Sequence, residues 1–121
     1  MLKFIIIEEH ERDTRQGRKT PRSEEKKRPT IVYVSGPITG HDDYILQFAD
    51  AQERLEMAGY IVLNPADLPQ GMSPEKYMPI CMAMLEQADA VYMLQGWETS
   101  KGASVECLLA QYQGKQILYE E

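Results

Sequence analysis

The sequence predicts an α/β fold, a small flavodoxin-like sheet of four parallel strands in the order 2-1-3-4 with helices on both faces. From Thr30 onward, short β-prone runs alternate with segments whose apolar residues recur at helical spacing. The connections are short, which favours parallel strands joined by right-handed crossovers. About 90 residues remain after Thr30, enough for three strand–helix units and a fourth strand.

Four continuous apolar runs are predicted as strands. They are Ile31–Val34, Tyr60–Leu63, Ala90–Leu94 and Ile117–Tyr119. The first two lack the apolar–polar alternation of a half-exposed strand, so both are expected to be buried on both faces.

Three helices are predicted between these strands. In the first, Asp42 or Asp43 serves as the cap and Gly59 marks the end. Its apolar positions are Tyr44, Phe48, Ala51, Leu55 and Ala58. The second begins at Ser73-Pro74-Glu75 and stays apolar through Leu85. The third is capped by Ser100, runs to Tyr112 and closes at Gly114.

The chain divides into a tail, residues 1–29, and a folded domain, residues 30–121. Residues 8–29 contain no Val, Ile, Leu, Met, Phe, Tyr or Trp. A segment of this composition buries too little apolar area to offset the entropy of ordering it, so we expect the tail to be disordered.

Charge and composition exclude several classes of function. Residues 1–28 hold nine Lys and Arg against six Asp and Glu, whereas residues 29–121 hold four against thirteen. The domain is therefore acidic, which argues against a general nucleic-acid binder. No apolar run is long enough to span a bilayer, so no membrane association is expected. Cys81 and Cys107 form neither a disulfide framework nor a zinc pattern. A cytoplasmic protein without metal or cofactor is predicted.

Two unusual loops are predicted to meet at one edge of the sheet. The strand order reverses between the first and third strands, and ligands of open α/β sheets bind beyond the carboxyl ends at such a point. The loops there are Ser35–Gly40 and Gln95–Gly102. Topology and composition thus indicate the same crevice.

The first loop admits two interpretations. It matches neither the dinucleotide-binding glycine pattern nor a P-loop. It is either a tight turn into a helix or a cradle in which Gly36 lets backbone N–H groups approach a sugar or phosphate.

The second loop leads into a helix through Ser100, Lys101 and Gly102. A helix N-terminus attracts anions, and Lys101 adds a full positive charge. Ser100 is also a plausible plain cap, and the two roles are compatible. Trp97, the only tryptophan, either plugs the core or provides a stacking platform for a flat base.

Glu106 is the most informative residue of the third helix. It lies three residues after Ala103 and four before Ala110, so these small residues share its stripe, which should face the sheet. An acidic residue at such a position is either an ordinary surface residue or a functional carboxylate.

The chain resembles the nucleoside 2-deoxyribosyltransferase-like superfamily, and in particular a branch common in phages and prophages. The segments that carry the resemblance are Tyr33–Gly40, Asn64-Pro65 and Ala88–Glu106, in the expected order. The resemblance covers residues 30–120 and leaves the tail without a counterpart.

The resemblance implies a flavodoxin-like fold and cleavage of the N-glycosidic bond of deoxynucleosides or their 5′-monophosphates, or deoxyribosyl transfer. The glutamate at the position of Glu106 would attack the anomeric carbon and form a glycosyl-enzyme ester. Further residues would bind the substrate: Tyr33, Ser35, Gly36, Pro37, Ile38, Trp97, Ser100, Lys101 and Gly102.

Two positions refine what the resemblance implies. Transferases of the superfamily tend to carry an aspartate six residues before the glutamate, and monophosphate hydrolases carry a serine, which is Ser100 here. Active members also carry an aspartate that assists the departing base, and that position is Cys81 here. The alternative to an enzyme is therefore a nucleotide-binding module that has lost its acid. A third possibility is an interaction protein that acts through its basic tail.

We also expect the protein to form a homodimer or a higher homo-oligomer. A four-strand sheet buries little apolar area, and the second helix is rich in methionine and tyrosine. Pairing through helices would cover that surface.

Overall fold

Four parallel strands form one sheet in the order β2-β1-β3-β4. They are β1 (Ile31–Ser35), β2 (Ile61–Leu63), β3 (Ala90–Met93) and β4 (Gln116–Tyr119). Tyr33 lies opposite Leu63 on one side and Val91 on the other. The predicted α/β class and strand order are confirmed.

The structure, a computed structural model, describes residues 30–38 and 40–121. The predicted tail, residues 1–29, lies outside the described residues. Within the described ranges, no helix combines the length and the apolar composition needed to cross a membrane.

Three helices connect the strands: α1 (Tyr44–Met57), α2 (Pro74–Gln87) and α3 (Lys101–Tyr112). Short 3₁₀ turns lie at Pro65–Asp67 and Trp97–Thr99. Ser100 caps α3, as predicted, because its hydroxyl oxygen accepts a hydrogen bond from the backbone N–H of Ala103, 3.1 Å away. Asp43 stands at the cap position of α1, but its side chain makes no capping hydrogen bond there.

Successive residues of the strands pack alternately against the two helical layers. Val32 and Val34 of β1 belong to an apolar cluster with Phe48, Ala51 and Leu55 of α1. On the other face, Tyr33 belongs to a cluster with residues of α2 and α3. The buried members contributed by these two helices are Cys81, Leu85, Ala103, Cys107 and Ala110. This second cluster, called the α2–α3 layer below, surrounds the candidate site.

The expectation that the second strand is buried on both faces is wrong. β2 is an edge strand; Ile61 is 47% exposed, and Val62 and Leu63 are only half-buried. Its continuous apolar run resembles that of a central strand, yet its place at the edge leaves part of it open to solvent.

Asp89 has a structural role in the sheet. Its side-chain oxygen Oδ2 accepts a hydrogen bond from the backbone N–H of Ile31 at 2.9 Å, and its own N–H donates to the Ile31 carbonyl. These bonds tie the starts of β1 and β3 together, at the end of the sheet away from the crevice.

Candidate functional site

The two crevice loops lie against each other at the carboxyl ends of β1 and β3. The backbone N–H of Leu94 donates to the Ser35 carbonyl at 2.8 Å. A Cβ at Gly36 would lie 2.8 Å from the Leu94 Cβ, so only glycine fits without a shift. A Cβ at Gly96 would lie 3.5 Å from Pro37. The predicted meeting of the loops is thus observed.

Glu106 is held by two hydroxyl groups from β1. The Ser35 hydroxyl donates to one carboxylate oxygen at 2.6 Å, and the Tyr33 hydroxyl donates to the other at 2.8 Å. Glu106 is 7% exposed and is the only buried acidic residue in the described part of the chain. The bonds fix the orientation of the carboxylate while its remaining lone pairs stay available.

The alternation of side chains along β1 and the helical spacing on α3 bring this carboxylate to its two donors. Tyr33 and Ser35 are two residues apart in β1, so both side chains point to the α2–α3 layer. On α3, Ala103 and Ala110 flank Glu106 on the inner face and are buried. Their small side chains let the helix approach the sheet closely enough for these short hydrogen bonds.

Burial and hydrogen bonding shift the pKa values of this cluster. Burial raises the pKa of Glu106, and the hydrogen bonds from Ser35 and Tyr33 partly offset that rise. Burial, followed by the negative charge of Glu106, raises the pKa of the Tyr33 phenol far above its ordinary value. Tyr33 is therefore a neutral donor at any physiological pH.

Cys81 lies on α2 beside the same cluster. It is 8% exposed and interacts electrostatically with both Tyr33 and Glu106. Burial raises the pKa of its thiol, the nearby Tyr33 hydroxyl partly offsets this rise, and the negative charge of Glu106 adds to it. Cys81 is therefore a neutral thiol next to the carboxylate, and a poor acid near neutral pH.

The N-terminus of α3 opens beside the same crevice. Ser100 is half-buried and Lys101 is exposed, and a Cβ at Gly102 would meet no atom within 4 Å. Glu106 is six positions after Ser100, a rise of about 9 Å along the helix axis. A helix N-terminus and a buried carboxylate therefore lie on the same helix.

Trp97 and Ile38 pack on opposite faces of the sheet. Trp97 is half-buried, packs against the α2–α3 layer and lies 6.1 Å from Tyr119 between ring centroids. It thus fills part of the interior, as the core-plug alternative supposes. Ile38 packs against the apolar cluster on the α1 face of the sheet.

Sequence reasoning missed Glu120, which accepts a hydrogen bond from the backbone N–H of Gln95 at 2.8 Å. No local pattern identifies it, because it reaches the crevice loop only through the pairing of β4 with β3. In residues 30–38 and 40–121, no group of three or more His, Cys, Asp or Glu side chains is placed to hold a metal ion.

The family described as a domain of unknown function (DUF4406) matches residues 30–119. The chain belongs to this family. The DUF4406 match includes all four strands, both crevice loops, and the carboxylate of Glu106 with its donors Tyr33 and Ser35. No curated protein matches the chain with significant similarity. The DUF4406 description names no activity.

Proposed function

We propose that the protein cleaves the N-glycosidic bond of deoxynucleoside 5′-monophosphates, with Glu106 as the nucleophile. The observation that carries the proposal is the buried carboxylate, fixed by the hydroxyl groups of Ser35 and Tyr33 beside a sheet crevice. Burying an acidic group costs free energy, and such a cost at a ligand-binding edge is typical of a functional carboxylate.

The reaction proceeds in two displacements. A Glu106 oxygen attacks the anomeric carbon, the N-glycosidic bond breaks, and its electron pair leaves with the base, which takes up a proton. A water molecule then attacks the same carbon, breaks the glycosyl ester and returns the carboxylate. If a second base replaces water, the outcome is deoxyribosyl transfer.

The phosphate would bind at the N-terminus of α3. The backbone N–H groups of the first turn, the Ser100 hydroxyl and the Lys101 ammonium together favour an anion. Ser100 already accepts a hydrogen bond from Ala103, which leaves its own hydroxyl hydrogen for a phosphate oxygen. The sugar would lie between this terminus and Glu106, against the turn of Gly36 and Pro37.

The departing base receives little help from Cys81. A neutral thiol of raised pKa donates a proton poorly, and general acid catalysis is typically worth about 10²–10⁴ in rate. We therefore infer slow turnover, slowest for bases that leave poorly without protonation. The same observation favours the second candidate function, a nucleotide-binding module that retains the pocket without catalysis.

The buried thiols of Cys81 and Cys107 are both free, which suits the reducing cytoplasm in which we propose that the protein acts. The ligand is a small nucleotide rather than a nucleic acid, because the domain that carries the site is acidic.

Incubation of the purified protein with each of the four deoxynucleoside 5′-monophosphates tests the proposal, with free base measured by chromatography. Glu106→Ala should abolish base release and leave nucleotide binding largely intact in calorimetry. Glu53→Ala, at an exposed position of α1, is the matched control and should behave as wild type. Wild-type turnover by Glu106→Ala contradicts the nucleophile. Binding without base release by the wild type supports the binding module instead.

A further inference from the structure

The end of β4 contacts the second crevice loop at two adjacent residues. The ring of Tyr119 lies 6.1 Å from that of Trp97, centroid to centroid. The next residue, Glu120, accepts a hydrogen bond from the backbone N–H of Gln95 through its oxygen Oε1 at 2.8 Å. The loop is thus contacted at its first residue and again at its tryptophan.

Glu120 is itself anchored to two other elements. Its second carboxylate oxygen pairs with the Arg54 guanidinium of α1 at 2.8 Å, and its backbone N–H donates to the Met93 carbonyl of β3 at 2.9 Å. Arg54 also reaches the Tyr92 hydroxyl at 3.5 Å. Arg54 of α1 therefore holds the carboxylate, and β3 holds the backbone of the same residue.

Gln95 is the residue at which the loop leaves the sheet. Directly after it, Gly96 adopts a left-handed conformation with a φ of 89° beside Pro37 of the first loop. The 3₁₀ turn Trp97–Thr99 follows and delivers the chain to Ser100 at the start of α3. A displacement at Gln95 would therefore shift the N-terminus of α3 relative to the first loop.

We propose that Glu120 is a positioning residue for the crevice: its carboxylate, held by Arg54, sets the path of residues 95–100 and so the placement of the anion-binding N-terminus of α3. The consequence for ligand binding rests on the proposed function, whereas the path of the loop does not. Glu120 has no contact with the proposed reacting atoms and acts only through the loop.

The sole tryptophan, Trp97, reports on this loop directly. Glu120→Ala should shift its fluorescence emission to longer wavelength and increase quenching by acrylamide. The dissociation constant for deoxynucleoside monophosphates should rise about 10-fold, the effect expected for loss of a charged hydrogen bond. In the base-release assay KM should rise while kcat at saturation changes little, because Glu106 keeps its partners.

Two further variants test the contacts of the Glu120 carboxylate with Gln95 and with Arg54 one at a time. Glu120→Gln retains an oxygen that can accept from Gln95 and should restore most of the wild-type emission and affinity. Arg54→Ala removes the ion pair that holds the Glu120 carboxylate. It should shift the Trp97 emission and weaken nucleotide binding as Glu120→Ala does, but to a smaller extent. Glu56→Gln is the matched control, since the exposed Glu56 side chain lies on α1 and accepts a hydrogen bond from the side-chain amide of Gln52 on the same helix, at 2.9 Å.

Wild-type emission and quenching in a folded Glu120→Ala variant overturn the proposal. So does a changed Trp97 signal with an unchanged dissociation constant, because the loop would then move without affecting the site. If Glu120→Ala fails to fold, as judged by circular dichroism, Arg54→Ala decides by the same criteria. A wild-type protein that binds no nucleotide refutes the proposed function, and the Trp97 comparison still decides whether Glu120 sets the path of the loop.

Discussion

At Glu106, burial and hydrogen bonding act on the carboxylate in opposite directions. Burial raises its pKa, and the bonds from Ser35 and Tyr33 lower it without cancelling the rise. The group is thus a better base than an exposed glutamate, yet it remains oriented by two donors. Both properties favour a nucleophile, because a more basic carboxylate attacks more readily once ionised and an oriented one points at a single carbon atom.

The pH dependence of base release should reflect this balance. Only the carboxylate form attacks, so kcat/KM should fall as the pH drops through the pKa of Glu106. Because burial raises that pKa, the acidic limb should lie above the pH expected for an ordinary glutamate, whose pKa is 4.5. Ser35→Ala removes one of the bonds that lower the pKa, so it should move the limb to higher pH and reduce the rate about 10-fold.

Ser73→Ala is a matched control for Ser35→Ala, because the Ser73 hydroxyl makes no capping hydrogen bond at the start of α2. Its pH profile should superimpose on that of the wild type. An acidic limb that Ser35→Ala leaves in place would contradict the assignment of the limb to Glu106.

Cys81 provides a second test at the scale of one residue. Cys81→Asp should raise the rate of base release about 10-fold or more by supplying an acid. The new carboxyl would stand next to the ionised Glu106, so like-charge repulsion should keep it protonated to a higher pH than an ordinary aspartate. The pH profile should then gain a basic limb, where this acid loses its proton.

Cys81→Asn is the control for size and polarity and should not accelerate base release. If Cys81→Asp binds nucleotide and releases no base, the binding-module function replaces the enzyme.

At the scale of the element, α3 carries both the proposed phosphate-binding N-terminus and the proposed nucleophile. Ser100 caps its first turn, and Glu106 lies on its inner face between alanines. The helix therefore fixes the distance between the phosphate and the nucleophile, because its rise per residue is constant. A substitution at Ser100 therefore alters the proposed phosphate site without moving Glu106.

Ligand preference should follow the charge at this cap. Wild type should bind deoxynucleoside 5′-monophosphates more tightly than free nucleosides. Ser100→Asp should abolish or reverse that preference, because an aspartate still caps the helix but repels a phosphate dianion. Calorimetry with paired nucleoside and nucleotide measures the ratio.

Ser100→Thr retains the hydroxyl and the cap and should keep the preference for the nucleotide. Equal affinity of the wild type for nucleoside and nucleotide would count against an anion site at α3.

At the scale of the whole molecule, one large helical surface is unusually poor in charge. The domain is acidic, but the solvent face of α3 carries Lys101 as its single charged residue. Val105, Leu108 and Tyr112 follow it there and are 44%, 66% and 88% exposed. Apolar residues exposed in one stripe are typical of a contact surface.

We therefore expect self-association at micromolar concentration, as the thin core also predicts. Light scattering should give a mass above the 13.9 kDa of one chain. Leu108→Glu should shift the equilibrium towards the monomer, because it adds charge to an apolar surface on an already acidic domain. Glu56→Gln on α1 should leave the mass unchanged. A 13.9 kDa species alone at high concentration would contradict the expectation.

The sequence by itself determined the elements and their order. The apolar runs, the alanine stripe around Glu106 and the cap at Ser100 are local patterns, and the rule for right-handed crossovers converts them into one parallel sheet. The position of Glu106 on the inner face of α3 followed from its spacing to Ala103 and Ala110, because 3.6 residues form one turn.

Only the tertiary structure decided which side chains contact the Glu106 carboxylate and how exposed each strand is to solvent. The bonds to Tyr33 and Ser35 join residues more than seventy positions apart, and their lengths depend on how closely α3 packs on β1. The exposure of β2 depends on its place at the edge, which its apolar run does not reveal. The contact of Glu120 with Gln95 likewise exists only because β4 pairs with β3, since no sequence period links a residue to a backbone amide in a distant loop.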